Sequence, residues 1–321
     1  MDTAIEQFNT QFLFIPVISN KENLQKTESF IVCGMGGSNL APGLIKMRLP
    51  HIDIVSHRDY GLPLVSQKFL SKSLIILSSY SGNTEETIDS FHAVREKNLS
   101  CAVIATGGKL LHLAQKHSVP YVQIPDTGIQ PRSALGYSLR ALLALMQEQS
   151  ILDETANLAE TLEPKKFHDQ GEALAKRMAG HIPVIYASTR NYSIAYNWKI
   201  KYNETGKIPA FCNVIPELNH NEMTGFDVTG ATEHLSECFY FLFLADPLDH
   251  PQDAKRMSVL FDMFLKRNLR AEKIELSGES LFSKIFSSLV YADWSAFETA
   301  LHYNLDPEKV PMIEEFKRKI A

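Results

Sequence analysis

Short apolar runs recur through the first half of the chain, at 30–33, 52–55, 74–77, 102–105 and 121–124. Several are rich in Ile and Val and lack polar–apolar alternation. That is the pattern of strands covered on both faces. Amphipathic stretches near 39–48, 84–97 and 108–117 lie between them, and a further helix is expected over 132–149. Strands alternating with helices at this spacing predict a doubly wound, mostly parallel sheet.

Residues 150–180 are charged and helical in character, with Pro164 near their middle, and form the expected crossover. The pattern then returns. Strands are expected at 183–186, 239–243 and 273–276, and helices near 191–205, 251–267, 279–303 and 310–320. The fold class is therefore α/β, with two doubly wound subdomains over 1–150 and 151–321, each a mostly parallel sheet flanked by helices. The only internal repetition is architectural. Ser188 and Thr189 follow a strand as Ser79 and Ser81 do, but without glycines.

Composition narrows the partners. A chain of 321 residues with 45% hydrophobic and 21% charged residues is long enough to build a substantial core. The net charge of −5 and the scattered basic residues disfavour nucleic acid and acidic membranes, which need a concentrated basic face. None of the four cysteines forms a CxxC pair, and Cys33 sits in an apolar run as a small hydrophobe would. The N-terminus has no basic segment before an apolar core, and no run reaches the length of a spanning helix. A reducing, cytoplasmic location is expected.

Four segments carry candidate chemistry. Gly34-Met35-Gly36-Gly37-Ser38 follows the first long strand. Its glycines could let the backbone approach an anion at a helix start, or could simply make a tight turn. The segment from Ser78 to Thr87 (SSYSGNTEET) follows another strand and places Ser79, Ser81 and Thr84 around Gly82. An N-cap needs one hydroxyl, so three favour a phosphomonoester cradle. Neither GxxxxGK[ST] nor GxGxxG is present, which disfavours nucleotides and dinucleotides.

Arg132, after Pro131, could brace an anionic intermediate or pair with a surface carboxylate. Glu204 ends a helix that Gly206 is expected to terminate, and His220 lies in the polar stretch PELNHNE. A carboxylate and an imidazole suit enolisation beside a carbonyl, though both could be loop residues on the surface. No second histidine stands near His220, so no metal is expected.

Taken in order, GMGGS, SYSGNTEET, GIQPRSALGY and IPELNHNE resemble the bifunctional phosphoglucose/phosphomannose isomerases of the SIS (sugar isomerase) superfamily. The resemblance runs from about residue 28 to the C-terminus. It implies two SIS subdomains and an aldose–ketose isomerase that acts on a hexose 6-phosphate without a cofactor. Ser38, Ser79, Ser81 and Thr84 match the phosphate-binding hydroxyls, and Gly36 and Gly37 the loop against the sugar. Arg132 matches the arginine that stabilises the enediolate, and Glu204 the base that moves a proton between C1 and C2. His220 matches the ring-opening histidine, which the partner subunit contributes in this family, implying a homodimer. Lys317, on the last helix, matches a lysine that approaches the substrate. Val310 stands where some members carry a threonine linked to accepting the mannose epimer, so this departure bears on mannose 6-phosphate. A non-catalytic sugar-phosphate sensor, or an isomerase of another phosphosugar, would share the serine loop.

Overall fold

The computed structural model describes residues 1–320, so Ala321, the last residue of the expected second half, lies outside the described residues. The chain separates into two units, one of Gln7–Leu162 and one that joins Met1–Glu6 to the residues from Glu163 onward. The division thus falls twelve residues beyond the expected 150, and a buried arginine explains it. Arg140 is buried and donates to Leu152 O at 3.0 Å, to Thr155 Oγ1 at 2.8 Å and to Phe14 O at 2.5 Å. It thereby ties the helix Gln149–Ala156 to the first unit. The N-terminal helix Asp2–Glu6 instead buries Ile5 and packs against the helix Leu281–His302.

The first unit has six strands: β1 (Ile18–Ser19), β2 (Ser29–Cys33), β3 (Asp53–His57), β4 (Leu74–Ser78), β5 (Cys101–Ala105) and β6 (Tyr121–Gln123). They run in the order β1-β6-β5-β4-β2-β3, with β1 antiparallel to β6 and the rest parallel. Every residue of β2, β4 and β5 is buried, as unbroken apolar runs require. The chain leaves β2 for β3 on one side and returns to β4 on the other. Helices that follow β2 and β4 therefore diverge, and a crevice opens where a doubly wound sheet binds its ligands. The helix expected over 132–149 is shorter. A 3-10 turn, Pro131–Ser133, precedes Leu135–Leu145, and Gln147 at φ 61° stops the helix from continuing.

The second unit has β7 (Ile182–Ser188), β8 (Phe211–Ile215), β9 (Phe239–Ala245) and β10 (Arg270–Glu275), all parallel, in the order β10-β9-β7-β8. Sequence patterning misses β8, an edge strand of mixed polarity whose burial is only partial. Tyr186 of β7 packs within 5.4–6.3 Å of the rings of Phe241, Phe243 and Phe264 in the core. On the other side of the sheet, Leu281–His302 packs against His168–Met178 and Tyr192–Glu204. Gly171 permits that approach, since a Cβ there would lie 2.5 Å from the Trp294 side chain. The last helix, Pro311–Ile320, buries none of its residues. Among the described residues, no helix is long and apolar enough to cross a membrane.

Candidate active site

The crevice of the first unit is built by three loops that interlock. Ser78 Oγ donates to Ser38 O at 3.0 Å, and Tyr80 N–H donates back to Ser38 Oγ at 2.9 Å. Asn39 fixes the first loop from below, its amide nitrogen donating to Val32 O, Gly34 O and His57 O. Gly36 is exposed at φ 50°, a left-handed conformation suited to glycine. Gly37 lies so close to the Pro131–Arg132 backbone that a Cβ would meet Arg132 N at 2.6 Å. The structure thus brings Gly36, Gly37, Ser38 and the Arg132 segment together. Arg132 is only 3% exposed and reaches Gln130 Oε1 at 3.5 Å.

The serine loop divides its hydroxyls between two tasks. Ser79 is buried, and its Oγ accepts from Gly82 N–H at 3.1 Å and Thr84 N–H at 3.4 Å while sharing a hydrogen with Thr84 Oγ1 at 2.8 Å. Ser79 therefore shapes the loop. Ser81 is exposed and its Oγ accepts from Asn83 N–H at 3.2 Å, while Thr84 is half-buried. Thr84 occupies the N-cap of Glu85–Glu96, but its side chain caps nothing. Gly82 (φ 68°) fits only as glycine, because a Cβ would come within 1.9 Å of Gly107 O. Leu110 N–H donates to Gly82 O, and Lys109 N–H to Asn83 Oδ1 at 3.0 Å, so the loop after β5 clamps the far side.

In the second unit, Glu204 is the last residue of Tyr192–Glu204 and is half-buried. Three buried polar contacts pin this helix to Leu281–His302. Trp198 Nε1 donates to Ser288 Oγ at 2.9 Å, Lys201 Nζ to Asp293 Oδ1 at 2.5 Å, and the Tyr202 and Ser295 hydroxyls meet at 2.9 Å. Gly206 does not supply the left-handed terminator that the sequence suggests. Lys207 does, at φ 60°, while Gly206 is where a Cβ would press to 2.9 Å from Tyr202 O. Lys207 Nζ donates to Glu204 O at 2.6 Å.

His220 ends the 3-10 turn Glu217–His220 and is exposed, while Leu218 beneath it is fully buried. Lys317 is exposed on the last helix, and Val310 is half-buried just before that helix begins.

The second sheet also has a switch point, between β7 and β9, and it is filled by a buried polar network. Ser188 Oγ donates to Asp249 Oδ1 at 2.6 Å. Asn191 Nδ2 donates at 3.0 Å to Ser188 Oγ, Asp246 Oδ2 and Asp249 Oδ1, and Lys284 Nζ donates to Asp246 Oδ2 at 2.5 Å. Burial opposes ionisation of Asp246, but hydrogen bonds from Lys284, Leu248 N–H and Asn191 outweigh it and hold the carboxyl below its ordinary range. Burial pushes Asp249 up, against the Ser188 hydrogen bond. Ser188 thus serves this network, not a phosphate.

The bacterial phospho-glucose isomerase C-terminal SIS domain model matches residues 167–320. The chain is also 33% identical to a bifunctional phosphoglucose/phosphomannose isomerase of Caldicellulosiruptor bescii, over 95% of this chain and 93% of that protein. The chain belongs to the bifunctional phosphoglucose/phosphomannose isomerase family. It is therefore an isomerase. A Thermoplasma acidophilum protein of the same description is 31% identical over 91% of this chain and 90% of its own. The fold is shared more widely. Glucosamine-6-phosphate deaminase of Thermotoga maritima superposes with a TM-score of 0.69 at 15% identity, over 96% of this chain and 95% of that one.

Several residues that hold these candidate segments in place carry no signal in the sequence. Lys201, Asp293, Asn39, Tyr186, Asn213 and Glu222 lie in separate segments that meet only through the sheet order and helix packing. Nothing local marks them, apart from the rarity of a lysine such as Lys201 that is only 3% exposed.

Proposed function

We propose that the chain interconverts glucose 6-phosphate and fructose 6-phosphate through a cis-enediol, with no cofactor because no net redox occurs. The observation that carries this reading is the interlocked crevice at the β2–β4 switch point. There, Ser38 Oγ accepts from Tyr80 N–H at 2.9 Å, and neighbouring glycines and hydroxyls are groups that can hold an anion without fixed charge. In this reading the phosphate docks on Ser38, Ser81 and Thr84, with Ser79 holding the loop and Gly36 and Gly37 against the sugar. That contact is remote from the reacting carbons and supplies orientation.

His220, aided by Lys317, moves a proton to or from the ring oxygen and opens the pyranose. Glu204 takes the C2 proton and returns it at C1. Arg132 stabilises the charge that develops on the enediolate oxygens. The exposure of His220 favours service to the sugar of a partner subunit in a homodimer. The four cysteines, all unpaired, support a cytoplasmic location.

The test is a coupled assay for fructose 6-phosphate formed from glucose 6-phosphate, with and without a chelator. Turnover in both arms is expected. Absence of turnover, or its loss with chelator, would overturn the reading.

A further inference from the structure

The turn that carries His220 is held by a carboxylate two residues further on. Glu222 Oε1 accepts from the Tyr186 hydroxyl at 2.6 Å, and Glu222 Oε2 accepts from Asn213 Nδ2. The donors stand on adjacent parallel strands, Tyr186 on β7 and Asn213 on β8. Tyr186 is fully buried among aromatic rings, so its hydroxyl cannot wander. Burial and then the neighbouring Glu222 charge raise its pKa, keeping it a donor. Asn213 is oriented in turn, its Oδ1 accepting from Val214 N–H at 2.8 Å.

The segment 216–221 is therefore fastened at both ends. At one end it leaves β8, and at the other Glu222 is bolted to the sheet. Within it, Asn221 Nδ2 donates to Glu217 Oε1 at 2.8 Å, and the buried Leu218 anchors the underside. Two oxygens that accept from two neutral donors explain the need for a carboxylate. A glutamine would present only one acceptor oxygen.

We propose that Glu222 is a positioning residue for ring opening: gripped by Tyr186 and Asn213, it fixes the turn from which His220 reaches the sugar. This rests on the ring-opening role of His220 given above. Glu222 itself handles no proton of the substrate.

The experiment separates ring opening from proton transfer. Catalysed exchange between the α and β forms of glucose 6-phosphate is followed by NMR. Hydrogen exchange at C2 is followed separately on 4,5-dideoxyglucose 6-phosphate, which cannot close a ring. Tyr186→Phe and Asn213→Ala each remove one of the two hydrogen bonds and are milder than Glu222→Ala, so a folded variant is available.

Anomer exchange is expected to fall at least about tenfold, towards the ~10²-fold that a 1 Å misplacement can cause, with KM and C2 exchange on the acyclic sugar nearly unchanged. His220→Asn should reproduce that split. If His220→Asn loses anomer exchange while Tyr186→Phe, Asn213→Ala and Glu222→Ala keep it, the positioning inference is overturned and the role of His220 stands. If His220→Asn keeps it, the role of His220 falls, and this inference with it. A lowered Tm with the split unmoved would reduce Glu222 to a strut and overturn the inference as well.

Discussion

Lys201 Nζ lies 2.5 Å from Asp293 Oδ1 in a buried pair, and Lys201 precedes Glu204 by about one turn on the same helix. Removing one partner leaves a charge stranded in the core. Asp293→Ala is expected to destabilise the protein by about 3–5 kcal/mol, and the double change Lys201→Met with Asp293→Leu to recover most of that loss. Urea unfolding of the two variants beside the wild type measures it. If the double variant recovers stability but kcat stays low, the pair also holds Glu204 in line.

Glu204→Gln is expected to lower kcat by about 10²–10⁴-fold, the usual share of a general base. Binding of a hexitol 6-phosphate, which cannot isomerise, should be unchanged by calorimetry. Near-normal turnover would remove Glu204 from the mechanism.

The serine loop predicts two different phenotypes within one motif. Ser79→Ala removes the acceptor for Gly82 N–H and Thr84 N–H and should cost about 1–3 kcal/mol of stability. Ser81→Ala with Thr84→Ala should leave Tm closer to normal while KM rises strongly. Thermal melts and initial-rate kinetics on the same preparations distinguish them.

Lys284→Met should be most harmful at neutral pH. The Asp246 carboxyl is held below its ordinary range, so its stabilising contribution is present above the unfolded value and is lost as pH falls through the folded one. Without Lys284 the buried carboxylate is uncompensated, and the penalty should be about 3–5 kcal/mol near pH 7. It should shrink as pH falls, starting above the ordinary aspartate range, because burial without Lys284 favours the protonated Asp246 carboxyl. Denaturation midpoints from pH 7 to 3 give the profile.

Val310→Thr tests the epimer question. Adding one hydroxyl able to hold a water should raise mannose 6-phosphate turnover relative to glucose 6-phosphate by up to about tenfold, the worth of a single hydrogen bond. The ratio of kcat/KM for the two sugars is the readout, and an unmoved ratio would free Val310 from any role in specificity.

How much of this was legible beforehand depended on range. The strands β2, β4 and β5 announce themselves because burial on both faces writes an uninterrupted apolar run. β8 was missed because an edge strand that buries only its last residue fully carries no such run. The glycine and serine motifs were visible because tight turns restrict residue choice locally. Their pairing through Ser38 and Tyr80 depends on strand order, which brings residues 42 positions apart into contact. The expected terminator Gly206 shows the limit of local rules. Its missing side chain answers a packing demand from Tyr202 O, and the left-handed residue is Lys207.

The polar knot of Ser188, Asn191, Asp246, Asp249 and Lys284 has a consequence for stoichiometry. A phosphate that approached the β7–β9 cleft would meet two buried carboxylates, Asp246 and Asp249, whose charge and hydrogen-bond partners oppose it. With the proposed phosphate site confined to the first sheet, a calorimetric titration should saturate at one sugar phosphate per chain.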